Sequence, residues 1–316
     1  MSSRYGEPGA LPRIPPTRPG PHPSADFHAH TTRSDGVLDP AALVRAAADA
    51  GVRLFAIADH DNLAAFRELT APGATPLPDG LALIPAVEIN AVPHGLRLEP
   101  SEGELHILGI GVDPGSAAFE AALVAQRSAR RDRFHATIAR LREIGKPVDA
   151  QIARLDLSGD DALGRPMLAR AMVAAGWAET VEDAFQTTLG QGRPGYVGRT
   201  GLGPEEAIRA IRAAGGIASL AHFPEAPSRH AVIRELVAAG LNGLESHHRS
   251  FDDATRAAVG AVARRFGLIE TGGTDYHGDT GTYAESLAQL VLPDWLAEGV
   301  RAAGDPARIV GGVPVA

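Results

Sequence analysis

The strongest constraint on this chain is an alternation. Short apolar runs recur along it, and most are followed by an alanine-rich stretch with three-four spacing. The runs are ADFHAHT (25–31), RLFAIADH (53–60), LALIPAVEIN (81–90), ELHILGIGV (104–112), GGIASLAHF (215–223), NGLESHH (242–248) and GLIETGGTDYH (267–277). Helical spacing covers 39–51, 203–215, 230–240 and 253–267. Pro40 and Pro204 stand where a first helical turn begins, and Gly51, Gly215, Gly240 and Gly267 stand where a helix would stop. Seven strands alternating with helices predict an α/β fold with a parallel, barrel-like sheet.

One connection breaks this rhythm. About a hundred residues separate the fourth run from the fifth, and 113–195 reads as helical with no convincing strand. The expected organisation is a barrel from 24–112 and 196–316 and an inserted helical subdomain at 113–195. Leaving the fourth strand at its C-terminal end, the insert would cap the barrel mouth. Residues 1–23 hold seven prolines and read as a loosely packed arm. Residues 281–316 suggest one further short apolar helix.

Charge and composition narrow the function. A net charge of -8 argues against an extended nucleic-acid surface, though not against a small anionic substrate. No apolar run reaches the length of a membrane span, and the N-terminus shows no apolar signal core, so a cytoplasmic protein is expected. With zero cysteines, disulfides, thiolate nucleophiles and thiolate metal ligands are excluded.

The ends of the runs carry the chemistry. His28 and His30 close the first, with Asp35 in the loop beyond; Asp59, His60 and Asp61 follow the second. Glu88 lies in the third run, His106 in the fourth, and His222 at the end of the fifth. Glu245, His247 and His248 end the sixth, and Asp275 and His277 the seventh. In a parallel β/α barrel, active sites are built from the C-terminal ends of separate strands. Alone, a histidine at such an end is a satisfied polar residue. Here six of the twelve histidines and three acids fall into one pattern, whereas His22, His94, His135 and His230 lie off it.

Nine imidazole and carboxylate ligands exceed the four to six of one metal and suit two or three bridged divalent ions. Without sulfur, manganese, zinc or iron fit such a set and calcium does not. Asp59 and Asp61 flank His60 and read as orienters of imidazole. Adjacent on a strand, His247 and His248 face opposite ways, so one of them enters the site.

The motifs DFHAHTTRSDG, FAIADHDN, IPAVEINA, ELHILGIG, LAHFP, GLESHH and GGTDYHG, in this order, resemble the PHP (polymerase and histidinol phosphatase) family of metal-dependent phosphoesterases. The resemblance implies a distorted seven-stranded β/α barrel of TIM-like form and a trinuclear site, often with manganese. Matched by motif, its ligands are His28, His30, Asp35, His60, Glu88, His106, His222, Asp275 and His277, with Glu88 bridging. The long insert resembles the branch acting on 3′,5′-nucleoside bisphosphates and the 5′ ends of short RNA. Met167 stands where that branch typically has histidine, and 91–104 is longer than usual before His106.

Divalent cations acidify a bound water and bind phosphoryl oxygens, so a phosphoesterase needs no side-chain nucleophile, and the sequence offers no good candidate. In the insert, a helical stripe runs Phe119, Leu123, Arg127, Arg130, Phe134, Ile138, Leu141. Arg127 and Arg130 either snorkel out or fork onto a substrate phosphate; Arg165, Arg193 and Arg199 are weaker candidates for such contacts. His247 or His248 would touch the nucleotide or protonate the leaving group. Histidinol phosphate and cyclic phosphodiesters are the alternative substrates. An amidohydrolase with a carboxylated lysine, or a Schiff-base aldolase, is disfavoured because Lys146, in the insert, is the only lysine. A barrel that had lost its metals and survived as an interaction module would show gaps in its ligand set, and none are found.

Overall fold

The computed structural model describes residues 23–93, 105–154, 163–279 and 281–311. The arm expected at 1–23 lies outside them except for its last residue, as does most of the stretch before His106. Two compact units result. The first comprises the described residues up to Leu123 and from Leu202 onward, and the second is Val124–Gly201.

The first unit holds β1 (Ala25–Asp26), α1 (Pro40–Asp49), β2 (Leu54–Ile57), α2 (Ala64–Thr70), β3 (Ala82–Ala91), β4 (Leu105–Ile110) and the start of α3 (Ala117–Glu143). The second holds the rest of α3, then α4 (Asp149–Ile152), α5 (Arg165–Ala174) and α6 (Val181–Ala184). Back in the first unit follow α7 (Pro204–Ala213), β5 (Ile217–Leu220), α8 (His230–Ala238), β6 (Gly243–His248), α9 (Asp253–Phe266), β7 (Ile269–Gly273), α10 (Tyr283–Leu287), α11 (Asp294–Ala303) and β8 (Val310–Gly311). The seven main strands pair in chain order, and β8 adds to β3. Phe27 N donates to Gly272 O at 3.2 Å and Ala29 bridges to Tyr276, so the first and seventh strands nearly close the barrel. Among the described residues no helix is long and apolar enough to cross a membrane.

The expected parallel sheet needs one correction. β4 runs antiparallel to both neighbours, Ala91 facing Leu105 and Ala86 facing Ile110 on one side, Ile107 facing Leu220 on the other. An apolar run carries no direction, so its period could not reveal the reversal. The reversal explains a misfit in the sequence, where His106 opens its run instead of ending it. Turned around, β4 brings His106 opposite Asn90, at the same sheet end as the other strand-end residues. The chain therefore leaves β4 at the opposite end, and the premise that placed the insert over the mouth does not hold.

Local signals match the helices. Asp39 caps α1, its Oδ1 accepting from Ala42 N at 2.8 Å, and Asp252 caps α9 in the same way. The four expected stop glycines all adopt positive φ, between +66° and +109°. The single tail helix is instead two: α10 ends at Leu287 with Ala288 as its C-cap, and α11 begins at Asp294 after an extended Pro293 at its N-cap. Phe119 and Leu123, on the first turns of α3, are buried in the core of the first unit beside Val87 and Ile211, so the division falls within α3 and not at 113. The second unit has its own core of Phe134, Ile138, Leu141, Leu168, Met172 and Leu189, and no strand among its described residues.

On three strands regular pairing stops short of the functional residues, whereas Glu88, His106, Glu245 and His248 lie within paired strands. β2 ends at Ile57, β5 at Leu220 and β7 at Gly273. Just beyond these ends lie Asp61, His222 and Asp275, non-glycine residues with left-handed φ of +55°, +28° and +49°. Each such residue costs of order 1–3 kcal/mol and persists only where its surroundings enforce it.

Candidate metal centre

Nine side chains from six of the seven main strands and the loops after them meet at one end of the barrel, β6 supplying none of the nine. Their ligand atoms fall into three groups. His28, His30 and Asp275 form one; Glu88, His106 and His222 another; His30, Asp35, His60 and His277 the third. In the first group His28 Nε2 is 3.1 Å from His30 Nε2, and both nitrogens are 3.3 Å from Asp275 Oδ1. In the second, Glu88 Oε1 is 2.9 Å from His106 Nδ1 and 3.2 Å from His222 Nε2, with the two nitrogens 3.2 Å apart. In the third, Asp35 lies 3.2 Å from His277 Nε2, 3.4 Å from His60 Nε2 and 3.7 Å from His30 Nδ1. Glu88 spans the groups, its Oε2 reaching His60 Nδ1 at 3.0 Å and His30 Nε2 at 3.4 Å.

These separations suit cations. Two atoms held at about 2.1 Å by one ion stand roughly 3.0 Å apart at a right angle and roughly 3.4 Å apart at the tetrahedral angle. Hydrogen bonding alone serves the triangles poorly, since a single proton can lie along only one of three edges. His60 Nδ1 is buried without a hydrogen bond although Glu88 Oε2 is 3.0 Å away, so the pair is close but not aligned for a proton. The donor set of six imidazoles and three carboxylates therefore fits divalent metals with mixed nitrogen and oxygen preference.

Electrostatics point the same way. Burial pulls His28 and His60 toward the neutral form, yet nearby carboxylates overcome it and raise both well above the ordinary value. For His28 these are Asp275, Glu88 and Glu245; for His60 they are Asp35 and Glu88. His277 follows the same balance, burial against Asp275 and Asp35, and rises to about 9. Burial also opposes charge on Glu88, Asp275 and Asp35, but the facing imidazoles hold all three below the usual carboxylate range. Each carboxylate stays ionised, ready for a cation to replace the protons opposite it.

Buried carboxylates tie the strand ends together. Asp26 accepts from His28 N (3.1 Å), Thr274 N (2.9 Å), Thr274 Oγ1 (2.7 Å) and the Tyr283 hydroxyl (2.8 Å), joining the first strand to the seventh. Asp59 accepts from Thr31 N (2.7 Å), Thr31 Oγ1 (2.7 Å) and Ser34 Oγ (2.6 Å). It thus holds the first loop, and reaches His30 through Ser34, whose Oγ is 3.4 Å from His30 Nδ1. Asp61 accepts from Asn90 N at 3.2 Å. Glu245 accepts from His28 Nδ1 at 3.1 Å and from His222 N at 2.6 Å. Among strand-end acids Glu245 is visible in the sequence, but its spacing matches no ligand pattern and gave it no role. Asp26 and Ser34 carry no local signal at all, because their partners are distant in the chain or contact through the backbone.

The choice between His247 and His248 turns on a β-bulge. Against β7, Glu245 faces Thr271 but His247 faces Gly272, so β6 carries one extra residue. Glu245 and His248 consequently share the inner face. His248 Nε2 is 3.4 Å from Asp275 Oδ2, while Nδ1 accepts from Ser250 N at 3.2 Å, which leaves the ring proton on Nε2. His247 points away, against Trp295 and Ser246. Burial, then Arg256 and Arg264, lower it to about 4, a neutral ring at physiological pH.

The remaining substrate candidates lie in the second unit. Arg127 and Arg130 are half-buried on α3, among stripe residues that are otherwise fully buried. Arg165 opens α5 with its guanidinium 5.7 Å from the Phe185 ring and 6.0 Å from Tyr196. Arg199 is half-buried, Arg193 exposed, and Met167 packs at the edge of the unit's core. Lys146 donates to Thr188 Oγ1 at 2.9 Å in this same unit, so no lysine joins the metal-ligand set.

No family model matches the chain. It is 30% identical over 285 residues to the 3′,5′-nucleoside bisphosphate phosphatase of Chromobacterium violaceum, covering 85% of this chain and 94% of that protein. It is 32% identical over 267 residues to the 5′-3′ exoribonuclease Rnm of Escherichia coli, covering 80% and 84%. A solved structure from Bifidobacterium adolescentis, described as a metal-dependent phosphoesterase, superposes with a TM-score of 0.69 at 28% identity, over 89% of this chain and 96% of that one.

Proposed function

The chain belongs to the PHP family of metal-dependent phosphoesterases and hydrolyses phosphoester bonds, and from that premise we propose that its substrates are nucleotides bearing 3′- and 5′-phosphates, or the 5′ ends of short RNA. The observation that carries this reading is the convergence of nine imidazole and carboxylate groups into three sets of ligand atoms. His28, His30 and Asp275 would hold one cation, Glu88, His106 and His222 a second, and Asp35, His60 and His277, with His30, a third. Manganese is the proposed metal, with zinc or iron as substitutes. Bound there, such ions supply an acidified water and neutralise phosphoryl charge.

The chain's own residues do the rest. Glu88, with one oxygen toward each side, fixes the spacing of the groups. His248 offers an Nε2–H at the inner face, suited to contacting the substrate or passing a proton to the leaving oxygen. Arg127, Arg130 and Arg165 are proposed as contacts for a second phosphate, for which a guanidinium fork is well shaped. The relatives that act on bisphosphates and RNA support the nucleotide reading.

The test is phosphate release by manganese-reconstituted protein from 3′-phosphoadenosine 5′-phosphate, 5′-AMP, 3′-AMP and histidinol phosphate in parallel. Preference for the bisphosphate is expected. Preference for histidinol phosphate would keep the metal chemistry and discard the role given to the arginines.

A further inference from the structure

Glu245 is fully buried and belongs to none of the three ligand groups, yet it touches two of them. We propose that Glu245 is a positioning residue that sets two metal positions at once and leaves the third alone. This rests on the metal reading above. Its two oxygens do different work. One accepts from His28 Nδ1 at 3.1 Å, which keeps the proton on that nitrogen and turns Nε2 toward His30 and Asp275. The other accepts from His222 N at 2.6 Å, holding a backbone with φ of +28° that a histidine would not adopt unaided. From that backbone His222 Nε2 reaches Glu88 and His106, each at 3.2 Å.

The members of the third group are held differently. His30 leans on Ser34 and through it on Asp59. His277 Nδ1 lies 3.0 Å from the Asp275 carbonyl, and His60 Nε2 faces Asp35. None of these contacts passes through Glu245. One carboxylate on β6 therefore couples a ligand after β1 to a ligand after β5, across the barrel interior.

The amide variant Glu245→Gln isolates this role. A glutamine has the same shape but one acceptor oxygen, so it cannot serve both N–H donors, and its amino group would face one of them. Full-length wild type and Glu245→Gln, stripped and then titrated with Mn²⁺, are compared by ions retained per chain and by calorimetric affinity. The variant is expected to keep one ion with wild-type affinity and to bind the others about 10- to 100-fold more weakly, the usual effect of losing such a support. Melting of the metal-free protein reads the structural alternative. Equal weakening at every position, with a large drop in metal-free melting, would overturn the proposal, as would unchanged binding throughout. If the amide variant does not fold, Glu245→Asp keeps both oxygens on a shorter arm and is read by the same criterion of unequal against equal loss. A wild type that holds no Mn²⁺ would instead sink the metal reading itself, and this proposal with it.

Discussion

The first compact unit buries a cluster of histidines and carboxylates that has no counterpart among the described residues of the second. In the first, histidines and carboxylates are sunk together, with His28 and His30 at 0% exposure and Glu88 at 1%. In the second, Arg142–Asp149 and Arg140–Glu143 pair at the surface, where such bridges are worth at most about 1 kcal/mol. Burying unpaired charge costs far more than that, so a buried cluster survives only if something compensates it. Reciprocal protonation does so in the metal-free chain, and cations would do so in the working enzyme. The contrast marks the first unit as the one whose buried charges call for compensation.

Replacing Glu88 or Asp275 by alanine tests the contrast most severely. Turnover should fall at least about a thousandfold, equivalent to roughly 4 kcal/mol of transition-state stabilisation. Far-UV circular dichroism should stay native-like. Wild-type phosphate release from either variant with metal retained would sink the assignment. Next in size is His248→Ala, expected to slow turnover about a hundredfold at saturating substrate. His247→Ala should stay within about twofold, because that ring faces Trp295 and not the site.

A pH series on metal-stripped protein sharpens the comparison further. His28, His60 and His277 are raised in the folded state, so the stability they contribute is complete below the unfolded value of about 6.5. It is lost as pH rises through the folded values, which for His277 is about 9. Melting temperature of the stripped protein should therefore decline across that window. Metal-loaded protein should not follow it, and a parallel decline would mean that cations do not replace these protons. The smallest effect belongs to the second unit. Arg127→Ala and Arg130→Ala should raise KM up to about tenfold for substrates with two phosphates, with little change for 5′-AMP; equal shifts for both would remove the arginines from substrate recognition.

Much of the first unit was legible because its chemistry is written in short local words. His28 with His30, and Asp275 with His277, announce themselves by spacing, although the second pair converges through a left-handed turn at Asp275 and not by strand alternation. Direction was not legible: the run containing His106 has the same apolar period read either way, and its early histidine was the one clue. Parity on β6 was hidden too, since an extra residue in a strand leaves no mark on composition. Clamps such as Asp26 to Tyr283, 257 residues apart, exist only in three dimensions. Pro293, by contrast, was readable as a helix boundary in a stretch expected to be one helix.

The bulge in β6 has a consequence for how the gene can change. Losing one residue from a central strand normally inverts every side chain beyond the lesion and destroys the fold's inside-out code. Here the supernumerary residue lies between Glu245 and His248, which already share a face. An in-frame codon deletion at Ser246 or His247 would yield a regular strand with both still pointing inward. This stretch of barrel wall is thus one where the coding sequence can shorten without scrambling the site.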